Sequence, residues 1–105
     1  MGVLSQDSMP AHPLSEDSVP QHNPRVAARV VEGHALVVVL DQRQIHRLDE
    51  VGSRIWELCD GRSVGAICDQ IISEFPVTRE VALADALNFI QDLRSVGAVT
   101  IEGES

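Results

Sequence analysis

Hydrophobic positions along the 105-residue chain fall into three regimes. Residues 1–24 show no apolar periodicity and hold all but one of the five prolines together with several serines, a pattern that predicts a disordered N-terminal extension. From Arg25 the stretch RVAARVVEGHALVVVLDQRQIHRLD is built of β-branched and apolar runs. These are punctuated at Glu32-Gly33 and Asp41-Gln42, residue types that suit tight turns. Three strands are predicted near 26–32, 35–40 and 44–48, forming an antiparallel meander. After Asp49 the apolar repeat lengthens from two residues to about 3.6, the period of a helix.

Three helices follow from that change of period. The first, near 50–59, places Val51, Ile55, Leu58 and Cys59 on one face with Trp56 alongside; Asp49 can cap its start and Gly61 can end it. The second, near 64–74, starts after Ser63, buries Val64, Ile67, Cys68, Ile71 and Ile72, and cannot continue through Pro76. The third, near 79–96, starts after Thr78. Its polar residues Asp85, Asn88, Asp92 and Ser95 share one face, while Ala82, Leu83, Ala86, Leu87, Phe89, Ile90 and Leu93 cover the rest. The fold class expected is α+β, winged-helix-like, with a three-stranded antiparallel sheet followed by three helices.

Two features of this pattern bear on function. The apolar arc of the third helix is wider than packing on one neighbour requires, so either the sheet or a ligand must cover its second side. A three-stranded meander also has two edges, and the third strand, with RQIHRL, is either a solvated edge or a template for an extended peptide.

Charge narrows the partners. Sixteen acidic against eight basic residues give a formal net charge of −8, which repels phosphate backbones and anionic lipid. A winged helix that reads DNA is the alternative of another class. The second helix argues against it, since it contains Asp69 and Glu74 and no Lys or Arg. The longest apolar run, ALVVVL, is too short to span a bilayer, and a cytoplasmic location is expected. Cys59 and Cys68 lack a CxxC spacing and read as small buried hydrophobes. The four histidines, His12, His22, His34 and His46, show no HxxxH or HExxH spacing; with no GxSxG elbow and no phosphate-cradling glycine loop, neither an enzyme nor a cofactor or metal site is expected.

The stretch RLDEVGSRIWELCDGRSVGAICDQIISEF, followed by DALNFIQDLRSVGAV, resembles the PqqD family, the small proteins of pyrroloquinoline quinone biosynthesis and their relatives called RiPP recognition elements. The likeness covers about residues 24 to 101. It is carried by Leu48-Asp49, Ile55-Trp56, Asp60-Gly61 and the series Asp85, Phe89, Ile90, Leu93, Gly97. Departures are Asp49 where the family usually has Asn, Ala86 where a larger aliphatic is common, and Ala98 where Leu is usual.

The resemblance implies a non-catalytic domain, residues 25–105, that recognises the leader segment of a ribosomally made precursor peptide. It also implies delivery of that peptide to a maturation enzyme: a radical-SAM enzyme, another peptide-modifying enzyme or a leader protease. The leader would add as a strand beside the third strand and dock in the groove with the third helix. The residues expected to bind it are Gln44, Ile45, His46 and Arg47 on the strand, with Arg43 and Arg47 facing acidic leader residues, and Leu83, Ala86, Leu87 and Ile90 on the helix. Ala82, Phe89 and Leu93 would then pack inward. A subunit that only stabilises a larger synthetase is a further alternative, distinguished by whether peptide binds without that enzyme.

The N-terminal extension holds a tandem repeat. LSQDSMPAHP, residues 4–13, and LSEDSVPQHN, residues 14–23, share Leu, Ser, Asp, Ser, Pro and His at six of ten positions. It is expected to be a flexible duplicated tether, or else a docking segment for a partner or an occupant of the domain's own groove that a leader must displace.

Overall fold

Three side-chain caps set where the helices begin, each at the residue the sequence indicates. In the computed structural model, which describes residues 14–40 and 42–102, Asp49 accepts from the Gly52 amide at the start of α1 (Glu50–Leu58). Ser63 accepts from Ala66 N at α2 (Val64–Glu74), and Thr78 from Val81 N at α3 (Arg79–Ser95). The last of these helices ends in a Schellman-type turn. Gly97 takes φ +82°, and the Ala98 amide reaches back to the Leu93 carbonyl at 2.9 Å.

The strands are β1 (Pro20–His22), β2 (Val26–Val31), β3 (His34–Val39), β4 (Gln44–Arg47) and β5 (Val99–Ile101). The predicted meander is present as an antiparallel sheet of order β2-β3-β4. Glu32 and Gly33 turn β2 into β3 with both φ values positive, as a tight two-residue hairpin requires. The second predicted turn residue, Asp41, lies outside the described residues; Arg43, with φ +54°, closes that loop.

The core lies between the inner face of β3, supplied by Ala35, Val37 and Val39, and the three helices. Ile55, Trp56 and Leu58 come from α1, Val64, Ile67, Cys68 and Ile71 from α2, and Ala82, Ala86, Ile90 and Leu93 from α3. Ser53 is the buried polar residue among them. It is satisfied by accepting from Ala35 N at 2.6 Å and donating to Leu48 O at 3.2 Å, which pins α1 to β3. Both cysteines are buried and free, and burial pushes the Cys59 thiol from 9.0 up to about 12.

One predicted boundary differs. Residues 14–24, read above as part of a disordered extension, are fastened to the domain. Pro20–His22 pairs antiparallel with Val99–Ile101, so a second, two-stranded sheet stands beside the first. Apolar periodicity could not reveal this. The segment is held by backbone hydrogen bonds: Glu102 N to Val19 O, Asn23 N to Ala98 O, and the α2 amides of Val64 and Gly65 to Ser18 O and Glu16 O. Pro20 is fully buried, and the His22 ring stacks on Trp56 with centroids 3.8 Å apart. The first copy of the repeat, residues 4–13, lies outside the described residues.

Candidate peptide groove

The site is built on a strand with one side unpaired. β4 ends the sheet, and among the described residues nothing pairs with its outer edge. Which backbone groups face outward follows from the register. Leu48 N donates to Ala35 O at 2.9 Å, so Ala35 and Leu48 form a hydrogen-bonded pair. Bonded and non-bonded pairs alternate along an antiparallel ladder. The partners Val37↔His46 and Val39↔Gln44 therefore bond inward, whereas Val38↔Ile45 and Leu36↔Arg47 do not. The N–H and C=O groups of Ile45 and Arg47 consequently point to the open edge.

Side chains alternate the other way. His46 lies opposite buried Val37 and shares the core side of the sheet, while Ile45 and Arg47 project from the outer face, Ile45 with 68% exposure. Beside β4 runs a cleft of about 350 Å³ lined by Ile45, His46, Arg47 and Leu48 from the strand side and Phe89, Asp92, Leu93 and Val96 from α3. The His46 Nε2 atom is buried there and has no hydrogen-bond partner among the described residues. An orphaned polar atom of this kind costs about 1–3 kcal/mol relative to a satisfied one, so a partner arriving in the cleft would be favoured.

A second cleft, about 420 Å³, continues past Phe89 between α1 and α3, lined in part by Asp49, Val51, Gly52, Asp85, Asn88, Phe89 and Asp92. Gly52 makes this close approach possible. A Cβ built there would lie 3.0 Å from the Phe89 ring and 2.9 Å from the Asp49 carboxylate. The aromatic ring thus stands between the two clefts and belongs to both linings.

Of the strand residues expected to bind peptide, Ile45, His46 and Arg47 line the cleft, and Gln44 begins the same strand. The helix residues expected beside them do not line this cleft. Ala86 and Ile90 are buried at 1% and 0% exposure and offer no surface. Leu83 and Leu87 are half-buried against the core and are not part of the cleft lining. Phe89, assigned above to inward packing, is only half-buried and lines the cleft with Asp92 and Val96; Leu93 packs inward as expected, at 4% exposure, and also borders the cleft. The physical reason is that α3 buries the stripe Ala82–Ala86–Ile90–Leu93, and β4 meets the flank of that stripe opposite to Leu83 and Leu87.

Charge is divided across the cleft. Arg43 and Arg47 on the strand side are exposed and form no ion pair among the described residues, while Asp92 lies on the helix wall. Elsewhere Arg54 pairs with Glu74 and Glu57, Arg62 with Asp60, and Arg79 with Glu16 and Asp69. Among the described residues there is no group of three His, Cys, Asp or Glu placed to hold a metal, and no helix long and apolar enough to cross a membrane.

Known proteins resemble the chain in sequence and in fold. Residues 37–99, from within β3 to the start of β5, match the model of the family described as coenzyme PQQ synthesis protein D (PqqD). A protein of Bradyrhizobium diazoefficiens named PqqA binding protein is 31% identical over 88 residues, covering 83% of this chain and 85% of that one. A protein of the same name from Rhodopseudomonas palustris strain BisB5 is 32% identical over 93 residues, covering 88% and 91%. Among solved structures, TbiB1 in complex with the TbiA(beta) leader peptide superposes with a TM-score of 0.72 at 27% identity, over 81% of this chain and 98% of that one. Lasso peptide synthetase B1 complexed with its leader peptide shares the fold, with a TM-score of 0.70 at 17% identity over 78% and 98%. The chain belongs to the PqqD family.

Proposed function

We propose that the chain recognises the leader segment of a ribosomally made precursor peptide and presents it to a modifying enzyme without catalysing a step itself. The observation that carries this reading is the open edge of β4 facing the α3 cleft. An extended leader would hydrogen-bond to the outward N–H and C=O groups of Ile45 and Arg47, making β4 an inner strand. Its alternate side chains would enter the cleft over His46, Phe89, Leu93 and Val96, and those facing out would lie beside Ile45 and Arg47. Arg43 and Arg47 favour acidic leader residues on the outer side. Backbone bonds supply register and affinity, and the cleft supplies selectivity. Relatives named for PqqA binding, and a structural neighbour solved with a leader peptide, support peptide as the ligand.

The test is fluorescence anisotropy with labelled PqqA and TbiA leader peptides, in the presence of a chelator and without any enzyme. Saturable binding of either peptide is expected. Binding that appears only once a metal or the modifying enzyme is added would contradict the proposal, the latter pointing to a purely structural subunit.

A further inference from the structure

The repeat pairs a segment whose contacts are visible with a near-copy ten residues earlier. Residues 14–23 act as a clasp across the helical end of the domain. Five of their side chains make the hold. Leu14 packs on the core, Ser15 and Ser18 close a turn in which Ser15 N donates to Ser18 Oγ at 3.0 Å and Asp17 N to Ser15 Oγ at 3.2 Å, Pro20 is buried, and His22 stacks on Trp56. His22 Nε2 also lies 2.6 Å from the Trp56 carbonyl.

In the first copy all five of these are identical: Leu4, Ser5, Ser8, Pro10 and His12. The differences fall elsewhere. Val19 and Gln21 are held through their backbones, by Glu102 N to Val19 O at 2.8 Å and by pairing with Thr100, and their counterparts are Met9 and Ala11. Two differences carry a cost. Glu16, ion-paired with Arg79 at 2.8 Å, corresponds to Gln6, and Asn23, whose side chain donates to Gly97 O at 2.8 Å, corresponds to Pro13, which has no donor.

We propose that residues 4–13 are a second clasp for the same cradle, able to replace residues 14–23 by a ten-residue shift of register within one molecule. The two costly differences make the observed register the preferred one. The shifted register frees residues 14–23 as a loop and releases Asn23 from Gly97 in the turn after α3, next to Val96 on the cleft wall.

The test uses the full chain with Pro10→Asp, Pro20→Asp and the double substitution, followed by thermal unfolding and by emission of Trp56, the single tryptophan. Asp at position 20 would bury a charge, so a molecule with no alternative clasp should lose the clasped state. Pro10→Asp alone is expected to unfold like the parent. Pro20→Asp should sit a few degrees lower with native-like Trp56 emission, because His12 takes the place of His22 on the indole. The double variant should fall roughly 10 °C or more below Pro20→Asp, or fail to fold, and lose that emission. If Pro20→Asp alone matches the double variant in midpoint and emission, whether both are altered or both unaltered, the proposal is overturned. A rescue that depends on protein concentration would also overturn it, since the first copy would then be serving a neighbouring molecule.

Discussion

The clasp and the groove are two places where extended backbone meets the helical body, and they differ in what is left unsatisfied. At the clasp the chain fills its own cradle. β1 pairs with β5, the α2 amides of Val64 and Gly65 find the Ser18 and Glu16 carbonyls, and His22 covers Trp56. At the groove the corresponding partners are missing from the described residues. The outward groups of Ile45 and Arg47 face an open edge, His46 Nε2 is buried without a partner, and Ile45 is largely exposed. A peptide at the groove would supply the kinds of contact that residues 14–23 supply at the clasp: strand pairing, apolar side chains inserted between helix and strand, and a polar group for an imidazole. The clasp is thus an internal example of the recognition mode proposed for the groove.

The largest effect expected from breaking this contrast is on the flanks of α3. Phe89→Asp would place a charge in the cleft and weaken leader binding by about 100-fold, roughly 3 kcal/mol, as measured by anisotropy well below the unfolding midpoint. Leu87→Asp, on the opposite flank, should lower the midpoint and leave the affinity of the folded protein unchanged. The reverse result would return the groove to the Leu83–Leu87 side.

Gly52→Ala sharpens the same comparison through the close approach of α1 to Phe89. The added methyl would overpack the contact at a cost of about 1–3 kcal/mol in stability, read by denaturant unfolding, and displace the ring that separates the two clefts. A variant as stable as the parent would mean that Phe89 yields freely.

Ile45→Pro removes one outward N–H while leaving the inward bonds of β4 intact, a position where an edge strand tolerates proline. Affinity should fall by about 1 kcal/mol, between 5- and 10-fold, with little change in the unfolding midpoint. Loss of folding instead would show that the Ile45 amide bonds inward and that the inferred ladder alternation is wrong.

The smallest effect concerns Cys59. Its thiol, raised by burial to about 12 from 9.0, stays protonated in the folded state between those values while the unfolded chain ionises. Stability should therefore be insensitive to this group below pH 9.0 and decline as pH rises above it. Reaction of Cys59 with a thiol reagent at neutral pH should likewise require unfolding, which single-cysteine Cys68→Ser protein would show.

The elements were legible in the sequence because each carries its own local signal. Asp49, Ser63 and Thr78 mark helix starts, Glu32-Gly33 marks a hairpin, and the change of apolar period after Asp49 separates sheet from helices. Which flank of α3 borders the cleft beside β4 was not legible, for a definite reason. Leu83, Ala86, Leu87 and Ile90 have the spacing i, i+3, i+4, i+7, and so do Phe89, Asp92, Leu93 and Val96. Periodicity shows that α3 has two usable flanks and cannot say which one β4 meets. Val96, at the helix cap, and Asp92, on the nominal polar face, stood outside the apolar arc read for α3. The clasp was missed because its hold is mostly backbone pairing in a Pro-rich segment. The exact recurrence of Leu, Ser, Pro and His ten residues apart was the one sign that those side chains are used.

The most direct measurement is amide hydrogen exchange along β4, with and without a PqqA or TbiA leader peptide at saturation. Strand addition expects the Ile45 and Arg47 amides to exchange freely in the unbound protein and to become protected on binding. The Leu48 amide, bonded to Ala35 O, and the His46 amide, turned inward by the alternation of the ladder, should be protected in both states. Protection that appears only on the Leu83–Leu87 flank of α3, with Ile45 and Arg47 still exchanging freely under saturating peptide, would contradict strand addition at β4.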